Sequence, residues 1–183
     1  MRKARYLAAI TVAVLSLVLV AGCGGKSHSS SSSATAAASD TEYNGGCPTN
    51  GNSRAFAKTR FALHAGLGLG AFHRYIYKPL RNGGFKSGAD KRKRTFAKAA
   101  VAGVFVVHEL RVANGFALAN PSLCNATQSI RNTFSALTSK LKNGTATDAD
   151  ITSADQAFST FRQNAGQDGF SFNERTATVP GAS

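Results

Sequence analysis

Apolar residues recur along the chain with the spacing of an α-helix, and no segment alternates long enough to predict a β-strand. Residues 61–72 and 99–107 are apolar almost all round, as expected for the central helices of a bundle. Residues 123–141 and 151–161 instead carry a single apolar stripe each. The pattern predicts an all-α fold, a small bundle of about four helices in which two amphipathic helices cover a central apolar hairpin.

Capping residues and breakers set the expected limits of the first two helices. The first is predicted from Ser53, a suitable N-cap, to Lys78, because Pro79 should end it. The second is predicted to begin near Ser87 or Asp90, which together form a weak capping box. It should end at about residue 114 or 120.

The last two helices have clearer start signals. Asn120 followed by Pro121 is a cap residue with proline at the first helical position, and Gly144 suits the C-terminal cap of the same helix. Thr147 and Asp150 have the spacing of a capping box and predict the start of the fourth helix.

Small residues mark one face of each central helix. Gly66 and Gly70 lie four apart in the first helix, and Ala99 and Gly103 do so in the second. Such pairs allow two helix backbones to approach closely, which predicts direct packing of the hairpin. Insertion of the hairpin into a membrane is the alternative, but each apolar run is shorter than the roughly 20 residues a span needs.

The first 23 residues have the layout of an export signal. Three cations in the first five residues precede an uncharged apolar run over residues 7–20, and the segment closes on Val20-Ala21-Gly22-Cys23. These features resemble the signal peptide and lipobox of Gram-positive-type bacterial lipoproteins, although Val20 stands where leucine is commonest. The resemblance implies cleavage before Cys23, lipidation of Cys23 and anchoring at the extracytoplasmic face of the cell membrane. An ordinary signal peptide and an uncleaved helix are the alternatives.

Composition divides the rest of the chain into three parts. After the signal peptide of residues 1–22, residues 23–46 form a Ser- and Ala-rich linker that is expected to be disordered. Residues 47–165 are the predicted helical domain, and residues 166–183 are expected to be a loose tail. Apart from the lipobox, the chain resembles only exported lipoproteins of uncharacterised activity.

Three cysteines are present, and lipid on Cys23 leaves one pair. Cys47 and Cys124 most simply form a disulfide in an exported protein. Closing so long a loop contributes roughly 4 kcal/mol in the chain-entropy description. Two unpaired buried thiols are the alternative.

The formal charge of +13 is unevenly distributed. Between Arg54 and Arg111 lie 13 Lys or Arg and two acids, whereas from Val112 onward the chain has five of each. Four consecutive cations at residues 91–94 oppose the helix dipole, which predicts an anionic partner nearby. Anionic lipid head groups and acidic wall polymers are the expected partners, nucleic acid is the least favoured, and a merely solvated surface is the alternative. The predicted binding residues are Lys78, Arg81, Lys86, Lys91, Arg92, Lys93, Arg94 and Lys98.

The histidines of the central helices are the remaining candidates for chemistry. His64, His73, His108 and Glu109 are the residues of an alternative small-molecule or metal site. His64 and His73 are nine residues apart, so they lie on opposite faces of one helix. No nucleophile motif or paired carboxylates are found, and the prediction is a protein that is not an enzyme and has no cofactor. The oligomeric state is not predicted.

Overall fold

Helices form most of the part of the chain that the computed structural model describes, residues 40–51 and 55–183, and none of these residues is in a β-strand. The predicted all-α bundle is therefore confirmed. The signal peptide, the lipobox with Cys23 and the predicted cap Ser53 lie outside the described residues. The elements are α1 (Ala57–Phe72), a π-helical segment (His73–Tyr77), α2 (Lys78–Arg81), α3 (Arg92–Ala117), α4 (Pro121–Lys142) and α5 (Asp148–Gln167).

The first helix continues past Pro79, so the prediction that it ends at Lys78 was wrong. The backbone N–H of Lys78 donates to the carbonyl of His73, five residues back, which closes a π-helical turn. Pro79 follows this turn and lies in the first turn of α2. Because that position does not need an N–H donor, the proline is accommodated and the helix runs on to Arg81.

Helix α3 begins at Arg92, two residues after the later of the two predicted starts. Lys91 is its N-cap residue and makes no side-chain cap bond. The capping box predicted for Ser87 and Asp90 therefore does not start the helix. The end at Ala117 lies within the predicted range.

Helices α4 and α5 start as predicted. The side chain of Asn120 accepts hydrogen bonds from the backbone N–H groups of Ser122 and Leu123, at 2.9 and 3.2 Å. Thr147 and Asp150 form the reciprocal capping box. Both caps satisfy N–H groups that a helix start leaves unpaired.

Helix α3 lies at the centre of the bundle. It packs against α1 on one side and α4 on the other, and α5 packs on α4. Aromatic side chains connect the helices in the core. The ring centroid of Phe134 on α4 lies 5.1 Å from that of Phe72 on α1 and 4.7 Å from that of Phe158 on α5. Three residues connect α3 to α4, and so short a connection makes the two helices antiparallel neighbours.

The small residues of α1 serve a different purpose from the one predicted. A Cβ atom on Gly70 would lie 1.8 Å from the carbonyl oxygen of Arg175, and the carbonyl of Gly66 accepts the N–H of Arg175 at 3.0 Å. In α3, a Cβ on Gly103 would lie 2.5 Å from Oγ1 of Thr138 on α4. These glycines therefore admit the C-terminal segment and α4, and do not join α1 to α3.

The C-terminal segment, residues 168–183, is packed on the domain, which corrects the expectation of a loose tail. Phe170, Phe172 and Val179 are buried. The rings of Phe170 and Phe172 meet Phe61 of α1 at 5.5 and 5.9 Å. The segment has no helical periodicity, but the apolar residues within its polar sequence bury their side chains against α1 and so hold it on the domain.

Residues 40–46, predicted to belong to the disordered linker, also pack on the domain. The N–H of Tyr43 donates to the carbonyl of Arg111 at 3.1 Å, and the side chain of Gln128 donates to the carbonyl of Gly45 at 2.9 Å. The domain boundary therefore lies at or before Asp40, not at Cys47.

The disulfide between Cys47 and Cys124 is formed, as predicted. It fastens the segment that precedes α1 to the first turn of α4, where Cys124 is fully buried. Within the described residues no helix is long and apolar enough to cross a bilayer.

Candidate functional site

The eight Lys and Arg residues that were predicted to bind an anionic partner lie around the connection between α2 and α3. They come from α2, from the turn that follows it and from the first two turns of α3. Six of them are exposed, whereas Arg92 and Lys98 are partly buried. We refer to these eight residues as the basic surface: Lys78, Arg81, Lys86, Lys91, Arg92, Lys93, Arg94 and Lys98.

The fold of the connection explains why these cations are presented together. The chain reverses after α2 through Gly83, whose φ of 72° lies in the left-handed region. Phe85 then packs edge-on against Phe96 of α3, at 4.9 Å between ring centroids. Nε of Arg92 donates to the carbonyl of Phe85 at 2.9 Å and thereby ties the turn to the start of α3.

No acidic side chain among the described residues forms an ion pair with the basic surface. Asp90 is the only acid between α2 and α3, and it is exposed. Lys98 donates to the main-chain oxygen of Ser183 at 2.6 Å. The positive end of the α3 dipole lies at residues 91–94 and adds to their charge, so the local potential is strongly positive.

His64 of α1 lies in the bundle between two carboxylates. Its Nδ1 is 2.7 Å from Oε2 of Glu109 on α3, and its Nε2 is 2.9 Å from Oδ2 of Asp40. Arg60 forms an ion pair with the same Asp40. The ring is also stacked on Phe116, with 6.1 Å between centroids.

The two carboxylates determine the charge of His64. Burial of the ring opposes its charged form, but the hydrogen bonds and charges of Glu109 and Asp40 prevail and raise the pKa of His64 above its ordinary value. Burial likewise opposes ionisation of Asp40, yet His64 and Arg60 lower its pKa. The group is a charge-paired cluster that ties residue 40 to α1 and α3.

His73 and His108 lie in separate clusters. His73 Nδ1 is 2.8 Å from Glu174, and its Nε2 is 3.0 Å from Asp155. His108 Nδ1 is 2.7 Å from Glu42, whose other oxygen accepts from Arg111 at 3.1 Å. The hydrogen bond from His108, together with Arg111, lowers the pKa of Glu42 against the opposing effect of burial.

Only two of the four residues of the alternative histidine site therefore lie in contact with each other. His64 and Glu109 are in contact, whereas His73 and His108 each bond to other carboxylates. Both ring nitrogens of His64 and of His73 face carboxylate oxygens, so neither ring offers a free ligand atom. Among residues 40–51 and 55–183, no group of three or more metal-binding side chains has the arrangement of a metal site.

Sequence reasoning missed the acidic partners of these histidines. Asp40 and Glu42 lie in the segment predicted as linker, and Glu174 lies in the segment predicted as tail. One signal was available, since Asp40 and Glu42 are the only acids before Asp90. No family model, curated protein or solved structure matches the chain.

Proposed function

We propose that this protein is an interaction module of the cell envelope, whose basic surface binds anionic material. The proposal depends on one observation, the concentration of exposed Lys and Arg at residues 78–98 without acidic partners among the described residues. Lys140, in contrast, pairs with Asp150 at 2.6 Å. Cations left without partners around a helix N-terminus are arranged to receive a negative charge from outside.

The second part of the proposal concerns location. Lipidation of Cys23 and a position on the extracytoplasmic face of the membrane follow from the lipobox resemblance. An anchor of this kind keeps the domain close to anionic lipid head groups and acidic wall polymers, which raises the effective concentration of both. Modest affinity per site then suffices for stable contact.

Neutralisation of the basic surface tests the proposal. Each Lys or Arg near an anionic surface contributes about 1 kcal/mol, so the loss of three should weaken binding on the order of a hundred-fold. Binding of the purified chain to immobilised polyphosphate is measured by surface plasmon resonance over a series of salt concentrations. The test variant combines Lys91→Gln, Lys93→Gln and Arg94→Gln, and leaves the Arg92 contact with Phe85 in place.

A control variant removes the same net charge elsewhere on the domain, in cations that form no ion pair with a described residue. It should retain most of the affinity, and binding of the native chain should weaken as salt is raised. Equal weakening of both variants, or no binding of the native chain at low salt, would contradict the proposal. The control combines Lys58→Gln, Arg131→Gln and Arg162→Gln.

Vesicles distinguish the two sources of anionic charge. Residues 7–20 are apolar and can themselves bind lipid, so only the difference between phosphatidylglycerol and phosphatidylcholine vesicles is informative. A preference for phosphatidylglycerol that the test variant loses identifies lipid head groups as partners. Polyphosphate binding without that preference identifies a wall-type polymer.

A further inference from the structure

A groove runs between α3, α4 and the C-terminal segment, and on α3 it begins at Val101, about one turn after Lys98 of the basic surface. Its volume is about 580 Å³, which is in the range of small-molecule sites. Val101, Val104 and Phe105 line it from α3, and Val179 and Pro180 line it from the C-terminal segment. The C-terminal segment forms one wall of the groove, which explains why the sequence did not reveal it.

The floor of the groove is an exposed apolar surface. Val101 and Val104 are 40% and 48% exposed. They are two of the three large apolar side chains that remain exposed in the described part of the chain, the third being Phe56. Two neighbouring valines that are exposed to solvent on one face of a helix do not gain the free energy of apolar burial unless a ligand covers them.

The α4 side of the groove offers few free hydrogen-bonding groups. The hydroxyl of Thr138 donates to the carbonyl of Phe134 at 2.6 Å, and that of Ser139 donates to the carbonyl of Ser135 at 3.1 Å. These donors are used within α4. The groove therefore suits an aliphatic chain better than a polar polymer.

The two ends of the groove differ in charge. At one end Glu42 forms an ion pair with Arg111 at 3.1 Å, and its other carboxylate oxygen lies 2.7 Å from Nδ1 of His108. At the other end Lys142 forms no ion pair with a described residue. A second depression of about 260 Å³ shares Lys142 and is also lined by Arg92 and Lys93. Lys142 thus lies between the groove and the two cations Arg92 and Lys93, and it is the cation that an anion in the groove would meet.

The distance between the ends is set by α3. Val101, Val104, His108 and Arg111 follow one another at spacings of three and four residues, so they share one face of the helix. From residue 101 to residue 111 the helix rises about 15 Å, which is the length of an extended chain of roughly a dozen carbons, and the apolar part from Val101 to Phe105 accounts for about 6 Å of this rise.

We propose that the groove binds a single-chain amphiphile with an anionic head. Its aliphatic chain lies along Val101, Val104 and Phe105, and its carboxylate or phosphate head lies at Lys142. The inference goes beyond the basic surface, because the apolar half of the site consists of residues that take no part in that surface.

Dodecanoate below its micelle-forming concentration is the probe, and isothermal titration calorimetry with the full chain is the measurement. Each buried methylene strengthens binding roughly fourfold, so dodecanoate should bind at least about a hundred-fold more tightly than butanoate. Val104→Glu should weaken dodecanoate binding more than tenfold, since it places a carboxylate on the floor of the groove. The matched control is Ala136→Glu, an exposed position on α4 outside the groove.

Charge reversal at Lys142 tests where the head lies. Lys142→Glu should weaken dodecanoate binding about tenfold, and should leave dodecyltrimethylammonium binding as tight as in the native chain or tighter. A merely structural role of Lys142 would weaken both probes alike, and that result would contradict the placement of the head.

Two further measurements keep the proposal testable. Val101→Glu replaces Val104→Glu if the latter fails to fold by circular dichroism, because Val101 is comparably exposed. Polyphosphate binding, measured on the same variants, should survive both valine substitutions. The proposal for the groove and the proposal for the basic surface can therefore be refuted independently. Dodecanoate binding that is absent from the native chain, or unchanged in both valine variants, overturns the proposal.

Discussion

The charge of His64 is coupled to folding through its largely buried partners. Asp40 from the segment 40–46, Glu109 from α3 and Arg60 from α1 are the charged groups around it. The His64 ring is 12% exposed and the Glu109 side chain is 7% exposed. Because water is largely excluded from this site, each charged form is stabilised mainly by its partner. Removing His64 leaves the buried Glu109 without the partner that compensates it, whereas removing Glu109 leaves His64 with Asp40.

The pH dependence of stability follows from the raised pKa of His64. The stabilising effect of a histidine with a raised folded-state pKa is complete below its unfolded-state value, near 6.5, and is lost as pH rises through the folded-state value. The lowered pKa of Asp40 acts at the other limit, where stability is lost as pH falls below about 3.8.

We therefore expect the native chain to be more stable at pH 6 than at pH 9 in urea unfolding, and we expect His64→Gln to lose much of that difference. The variant should also be less stable by about 2 kcal/mol at pH 6, because Glu109 loses its charged partner. An unchanged difference between the two pH values in the variant would show that another group causes it.

At the level of elements, the C-terminal segment is held on the domain by tertiary contacts. It has neither helix nor strand to hold it. It depends on close backbone contact with α1 at Gly66 and Gly70, and on the burial of Phe170 and Phe172. It also forms one wall of the proposed groove, so its position affects binding there.

A pair of glycine substitutions tests that contact. Gly70→Ala places a Cβ against the carbonyl of Arg175 and should lower stability by about 1–3 kcal/mol, with greater protease sensitivity of residues 168–183. Gly68→Ala meets its nearest atom at 3.6 Å, so it should be neutral or stabilising by up to about 1 kcal/mol. Similar effects of the two substitutions in urea unfolding would show that the segment does not depend on this contact.

At the level of the whole chain, the described domain and the predicted anchor are separate features. The disulfide and the described helices form the domain, whereas attachment to a membrane is predicted from the lipobox at residues 20–23. Two acyl chains give stable anchoring where a single chain is marginal.

Mass spectrometry of the protein isolated from bacterial membranes tests the anchor. The native chain should begin at Cys23 and carry a diacylglyceryl group. Cys23→Ser should lack the lipid and retain the signal peptide, because the modified cysteine is the cleavage site in proteins of this kind. Cys47→Ser is the matched control and should keep the lipid. Lipid that persists in Cys23→Ser would exclude the lipobox interpretation.

The amphipathic helices were predictable because their signals are local. The caps at Asn120, Thr147 and Asp150 and the apolar stripes of α4 and α5 act within one or two helical turns, and each was confirmed. The basic run was predictable for the same reason, since residues 91–94 are adjacent in the chain. The continuation of α1 past Pro79 was missed, because a π-helical turn has no comparable local signature.

Local sequence was therefore sufficient to predict the helical class, the start of the last two helices, the disulfide pair and the basic segment. It could not predict that Asp40 and Glu174 contact His64 and His73, or that the glycines of α1 contact the C-terminal segment. It could not predict the groove beside Val104 either. These contacts join residues far apart in the chain, and their approach depends on how the helices pack and not on local propensity.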